Sequence, residues 1–370
     1  MPSSIKAAVF REALQPLTIE SVDLDDPIGH EVLIRTVATG VCHSDLHYVD
    51  GENSLLGFST APSTVLGHEG AGIVEAVGNL VTYLKPGDHV VACLSVFCGT
   101  CEQCLSGHPA RCQTPLRTRA QGLPPRVTQG GREVGQFVGL ATYAEKMLVH
   151  ENAVVKIDDD MPLDRAALLG CGVLTGVGAA LNTAQVRPTS TVAVIGCGGV
   201  GLSIIQGARI AGARQIIAVD TFDSKLEMAK GVGATHTVNA THDDPVEGVR
   251  SLTHGKGVDY SFEAVGFPKL ARQCMEMLGV GGVATIVGVM PTGAVHEFPH
   301  SALAGEKRLQ TCSMGSNRFR FDIPNYIELY RGGKLLLDEM VSVTRPLDDI
   351  NEAFRAMKAG EVARNVLVFN

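Results

Sequence analysis

Apolar and polar positions divide the chain into two regimes. Up to about residue 170 the apolar residues come in short alternating stretches, among them HEVLIRTV, GIVEAVG and DHVVACL, punctuated by Gly, Pro and Asp. A period of two marks strands with one buried face, so this part is expected to be β-rich. Within it, residues 113–136 are polar and rich in Arg, Gly and Pro, which reads as a surface loop. From about residue 192 the pattern becomes TVAVIG then GLSIIQGARIAGA, QIIAVD then DSKLEMAKGVGA, VDYSFEA then PKLARQCMEMLG, and finally VATIVGV. Continuous apolar runs separated by helical segments predict a parallel sheet covered on both faces, and hence an α/β protein. The last part breaks this rhythm: DDINEAFRAMKAG reads as a helix and NVLVF as a terminal strand that returns to the first part. No internal repeat is visible.

Length and composition narrow the function. At 370 residues two domains are expected, and 45% hydrophobic with 19% charged residues supplies ample core. A formal charge of -8, a pI near 5.8 and no Lys/Arg cluster argue against nucleic acid as a partner. No apolar run has the length of a membrane span, and MPSSIKAAVFREALQ does not read as a leader, so a cytoplasmic protein with no membrane partner is expected. In such a compartment the 10 cysteines point to metal or catalytic roles rather than disulfides.

Cys98, Cys101, Cys104 and Cys112 are separated by three, three and eight residues. Four soft ligands on a short loop suit tetrahedral zinc with no open position, which is a structural site. An iron-sulfur cluster is the metal alternative, although Cys112 fits neither ferredoxin spacing; four incidental thiols is the bland one. Gly196, Cys197, Gly198, Gly199, Val200 and Gly201 follow the apolar strand TVAVI and open a helical run, and Asp220 ends the next strand nineteen residues after Gly201. This order predicts dinucleotide binding, with pyrophosphate on the glycine turn and Asp220 accepting from the adenosine ribose in preference to a 2′-phosphate, hence NAD. Cys42, His68 and Cys171 each stand within two residues of a glycine at apparent element ends. Two thiolates and an imidazole would leave zinc a fourth position for water or substrate, as in a catalytic site that lowers the pKa of a bound alcohol.

With GHEGAGIVEAVG, the four-cysteine lobe and the glycine turn in order, the chain resembles the zinc-containing medium-chain alcohol dehydrogenases from its opening strand to the tail VARN. The resemblance implies a GroES-like catalytic domain over residues 1–172, a Rossmann domain over 173–313 and a return over 314–370. It implies two zinc ions per chain, one held by Cys42, His68 and Cys171 and one by the four-cysteine lobe. Ser44 would touch the substrate hydroxyl, and the proton would leave through Ser44, the nicotinamide ribose and His47 while hydride passes to the nicotinamide. A surface histidine is the bland reading of His47. Asp45 would orient His68, and Glu69 would sit behind the metal. Thr175 and Val200 would pack on the nicotinamide side with Val289, Lys225 would reach the adenosine ribose, and His43 and Arg364 would meet the pyrophosphate. His43 stands where some members carry Arg.

The zinc-free quinone reductases share the glycine turn but have no reason to keep both ligand sets, and polyol dehydrogenases commonly place Glu where Cys171 stands. A non-catalytic nucleotide sensor or scaffold is the reading from another class, and Ser44 with His47 argues against it. The nearest rival is the glutathione-dependent formaldehyde dehydrogenases, whose pocket mouth offers an Arg and an acid to a charged adduct. Leu116 and Asn53 stand at those positions, with Arg117 and Arg119 close by. Leu94 replaces an aromatic residue and Ser44 a Thr, leaving room, while Val289, Met290 and Met314 would add an apolar wall. Medium or bulky hydrophobic alcohols, aromatic ones included, are therefore the expected substrates, oxidised reversibly to aldehydes or ketones. A loop after Cys112 like that of dimeric members, and a segment at 308–314 able to extend a sheet, favour a homodimer.

Overall fold

The computed structural model describes residues 3–51 and 63–369. The chain divides into two compact units, one of Met1–Cys171, Arg318–Glu328 and Val341–Asn370, the other of Gly172–Asn317 and Leu329–Met340.

The first unit is built on two sheets of mainly antiparallel pairs. The strand Glu31–Gly40 organises the larger one, because its alternation buries Val32, Ile34, Thr36 and Ala38 against the core while Arg35 faces out. Beyond Ala38 both faces are covered. There Gly40 lies opposite Glu69 on one neighbouring strand and opposite Val366 on the other. The residues that flank these pairings, Cys42, His68 and Arg364, are thereby brought toward one point. The terminal strand Arg364–Val368 pairs antiparallel with Glu31–Gly40.

One expectation is corrected here. Residues 113–136 are not merely a surface loop: Val127–Gln129 pairs with Thr18–Leu24, and Gly135–Gln136 with Thr64–Val65. The polar composition that suggested a loop includes Arg119 and Arg126, which both bond the buried carboxylate of Glu31, at 2.7–2.9 Å. These arginines are internal partners rather than surface charge.

The second unit is a six-stranded parallel sheet. Its order is His236–Asn239, Gln215–Asp220, Thr191–Ile195, Val258–Glu263, Leu278–Ile286, Arg308–Thr311, the doubly wound arrangement with the glycine-turn strand third. Every residue of Thr191–Ile195 is buried, as helices on both faces require. The expected single return at residue 314 is also revised. Residues 314–317 and Leu329–Met340 stay with this unit, because Gln206 exchanges two hydrogen bonds with the Leu336 backbone and Leu335, Leu337 and Met340 are fully buried. Among the described residues no single helix is long and apolar enough to cross a membrane.

Candidate metal centres and nucleotide site

Cys42 precedes the helix His43–Val49 in extended conformation. The helix buries Asp45, Leu46, Tyr48 and Val49, so Ser44 and His47, three residues apart, share its partly exposed face. Gly67 has φ +88°, and a Cβ there would stand 2.5 Å from Tyr143 and 2.6 Å from Thr142, so glycine alone lets the chain turn His68 inward. The ligand atoms of Cys42, His68, Glu69 and Cys171 all lie within 4.8 Å of one another, and all four residues are buried.

Asp45 is completely buried and accepts from Gly67 N at 2.9 Å and from the Tyr143 hydroxyl at 2.9 Å. Its Oδ1 lies 3.2 Å from His68 Nδ1, which leaves Nε2 as the nitrogen turned to the cluster. That buried Nε2 has no hydrogen-bond partner in the described structure, the state expected of an imidazole shaped to ligate a metal. Electrostatics agree. Burial pulls His68 toward its neutral form, but Asp45 and Cys42 outweigh it and hold the pKa up to about 10. A hydrogen bond with Cys171 keeps the Cys42 thiol well below its ordinary range, against its burial, and Cys171 rises correspondingly. The pocket thus favours positive charge beside a thiolate, a demand that zinc meets with better coordination than a proton. Arg364, which the resemblance implies for the pyrophosphate, forms a close ion pair with Glu69, with both side chains buried. Two opposite charges removed from water need this pairing.

The second set is built differently. Cys98 and Cys104 sulfurs are 3.9 Å apart, Cys101 and Cys104 3.5 Å, Cys101 and Cys112 3.9 Å. Four ligands at ~2.3 Å from a tetrahedral zinc lie ~3.8 Å from one another, so these edges fit the ion with no fifth position. Backbone N–H groups of Thr100 and Cys101 donate to Cys98 Sγ at 3.4 and 3.3 Å, and Cys98 N to Cys112 Sγ at 3.3 Å. Hydrogen bonds, Thr114 first, hold Cys98 down to about 5, whereas burial pushes Cys104 up to about 12.

In the second unit Gly198 caps the helix Gly199–Ile210 without a side chain, and a Cβ on Gly201 would fall 1.7 Å from the Gly196 carbonyl. Glycine at 201 thus lets the turn close on itself, while a Cβ on Gly198 would meet nothing within 4 Å, so the helix N-terminus stays open to an anion. Asp220 accepts from Cys197 N at 2.7 Å with one oxygen and from Thr221 N and Phe222 N, at 2.7 and 3.0 Å, with the other. It ties the glycine turn to the next loop and keeps acceptor capacity for a ribose. Lys225 Nζ lies 4.9 Å over the Phe222 ring. Thr175 is buried and donates to Met314 Sδ at 3.4 Å; Val200, Val289 and Met290 are half-buried. His43 is exposed on the first unit, its ring 6.5 Å from that of His47. Leu94 and Leu116 pack against the core of the first unit. Asn53 lies outside the described residues.

Two groups escaped the sequence reading. Tyr143, which holds Asp45, is seventy-five residues from His68 with no motif to link them. Glu263, at the end of the strand Val258–Glu263, accepts from Val265 N and Gly266 N at 2.9 and 2.6 Å and shapes that turn.

Family models described as an alcohol dehydrogenase GroES-like domain and a zinc-binding dehydrogenase match residues 29–159 and 199–331. The chain is 40% identical to an alcohol dehydrogenase class-3 of Myxine glutinosa, over 98% of this chain and 97% of that one. It is 38% identical to an S-(hydroxymethyl)glutathione dehydrogenase of Paracoccus denitrificans, over 98% and 99%. Among solved structures, the benzyl alcohol dehydrogenase of Acinetobacter calcoaceticus superposes with a TM-score of 0.92 at 34% identity, covering all of both chains.

Proposed function

This chain belongs to the zinc-dependent medium-chain alcohol dehydrogenases, NAD-linked oxidoreductases, and from that premise we propose that it oxidises medium or bulky hydrophobic alcohols, aromatic ones included. The reaction runs reversibly to aldehydes or ketones. The observation that carries the substrate class is the engagement of Arg119. Its guanidinium is 5% exposed and bonds Glu31 at 2.7 Å and Asp25 at 2.5 Å. Arg117 is likewise spent on the Leu94 carbonyl at 3.2 Å. Neither supports recognition of an anionic adduct, while Leu94 and Leu116 offer apolar surface.

When bound at Cys42, His68 and Cys171, zinc supplies a Lewis acid for an alcohol oxygen, and NAD supplies the hydride acceptor. Asp45, itself fixed by Tyr143 and Gly67, holds the His68 ring in one orientation. Ser44 takes the proton of the alcohol hydroxyl, and His47 on the same helix face passes it toward solvent. Asp220 selects the ribose of NAD.

The relatives named for class-3 and S-(hydroxymethyl)glutathione dehydrogenase activity favour a second reading, the glutathione adduct of formaldehyde. Specificity constants for ethanol, benzyl alcohol, a longer alkanol and S-hydroxymethylglutathione separate the two. The hydrophobic alcohols are expected to lead. A glutathione adduct ahead by about tenfold, or ~1.4 kcal/mol of transition-state binding, would reject the first reading. The ten unpaired cysteines support a reducing, cytoplasmic setting.

A further inference from the structure

A cavity of about 470 Å³ opens on the second unit, lined by the helices Pro245–Leu252 and Pro268–Met277 and by the segment 299–307. Arg250 Nη2 joins the two helices by donating to the Glu276 carbonyl at 2.9 Å, and Phe298 packs on their shared core and anchors the segment that follows it. The place is separate from the nucleotide site. Glu276 stands two residues before the strand Leu278–Ile286, and Lys307 one before Arg308–Thr311, which runs parallel to it. The cavity therefore reaches the amino ends of strands, whereas the glycine turn follows the carboxyl end of Thr191–Ile195. Its volume falls in the ~300–1,000 Å³ range of small-molecule sites.

Its walls hold polar groups left without partners. Lys307 is half-buried, and among the described residues its Nζ makes no ion pair, although Asp244, Glu247 and Glu276 line the same cavity. Two of those acids are committed elsewhere: Asp244 caps Val246 N and Glu247 N at 2.9 and 3.0 Å, and Glu276 accepts from Arg272 at 2.8 Å. Burial, and next the charge of Arg250, pull Lys307 below its ordinary range. Arg250 is fixed in place by the carbonyls of Gly255, at 3.3 Å, and Glu276, so two cations line one space and only an anion relieves both. Gln273 Oε1 is buried there with no hydrogen-bond partner among the described residues. Such an acceptor costs stability until something donates to it.

We propose that this cavity binds a small zwitterion, an α-amino acid with an apolar side chain. The carboxylate accepts charge-assisted hydrogen bonds from Lys307 and Arg250. The ammonium donates to Gln273 Oε1 and is matched by Glu247, and the side chain rests on Val246, Pro299 and Ala302 of the lining. Three carboxylates in the wall disfavour a dianion such as phosphate, and a carboxylate without the ammonium leaves Gln273 unsatisfied.

The test titrates the zinc-loaded enzyme with L-leucine by calorimetry, after NADH has filled the nucleotide site. Leucine is expected to bind with a Kd of about 1 mM, roughly tenfold tighter than isocaproate, isoamylamine or inorganic phosphate. Lys307→Met and Gln273→Leu each raise that Kd by about tenfold. Lys307→Arg keeps it, and kcat/KM for alcohol oxidation stays level in all three. Absence of binding at about ten times the expected Kd overturns the proposal. So does a Kd that stays within about twofold of wild type in either Lys307→Met or Gln273→Leu. Isocaproate, isoamylamine or phosphate binding as tightly as leucine overturns it too. A loss in Lys307→Met that comes with a lower melting temperature and is not restored by Lys307→Arg marks a structural lysine, and likewise overturns it.

Discussion

Removing the Tyr143 hydroxyl leaves Asp45 with one donor fewer in a place that water does not reach. The remaining donors, Gly67 N and His68, must then hold the carboxylate alone. Tyr143→Phe is expected to lower kcat/KM or zinc retention by about 10- to 100-fold, as loss of a group that orients a metal-ligating histidine does. Zinc titration with a chelator and steady-state kinetics on the same preparation check it, and an unchanged variant would mean that the Tyr143 hydroxyl is not needed to hold Asp45 against His68. His47 makes a different kind of claim. His47→Gln should slow alcohol oxidation most at low pH, where solvent base is scarce; an unchanged pH profile for hydride transfer would exclude the relay. At this scale the sequence marks residues whose type and spacing carry chemistry, such as the thiols of the four-cysteine lobe. Tyr143 carries none by itself. Its role comes from a tertiary contact across ninety-eight residues, which no local pattern encodes.

Elements place these groups, and their own stability depends on pH. The strand Lys146–His150 ends at His150, whose Nδ1 accepts from Asn152 N at 3.0 Å. Burial, and next the charge of Arg126, hold this imidazole down to about 4. Since the unfolded value is about 6.5, the unfolded chain takes the proton first. The stability it contributes is therefore complete above about pH 6.5 and is lost as pH falls toward about 4. His150→Asn keeps a cap acceptor without titrating, so its urea midpoint should fall less than that of wild type between pH 7 and pH 4.5. Parallel midpoints for the two proteins would contradict this. The strand-helix rhythm of the second unit is legible because each strand is buried on both faces, as Thr191–Ile195 is. Residues 113–136 are not, because the partner of Arg119 and Arg126 lies 88 and 95 residues away, on Glu31, and local polarity then resembles a loop.

For the whole molecule, Arg308–Thr311 stands at the edge of the parallel sheet with Leu309 36% exposed. An unpaired edge of this kind is a ready surface for a second copy, and light scattering is expected to give twice 39.0 kDa; a single-chain mass would remove the dimer. The division of the tail between the two units was less legible than the sheet, since the burial of Leu335 and Leu337 beside Gln206 depends on contacts that the break in rhythm conceals. The account turns on two metal sites that do different work. Cys42, His68 and Cys171 bring donors to a buried point with the imidazole held by Asp45, whereas the four-cysteine lobe closes a tetrahedron by itself. The direct measurement is metal content, turnover and melting temperature on the wild type, Cys42→Ser and Cys101→Ser. The account predicts about two zinc ions per chain in the wild type, a folded Cys42→Ser protein without turnover, and a Cys101→Ser protein whose main defect is a lowered melting temperature. One ion per wild-type chain, iron in place of zinc, or full turnover in Cys42→Ser would contradict it.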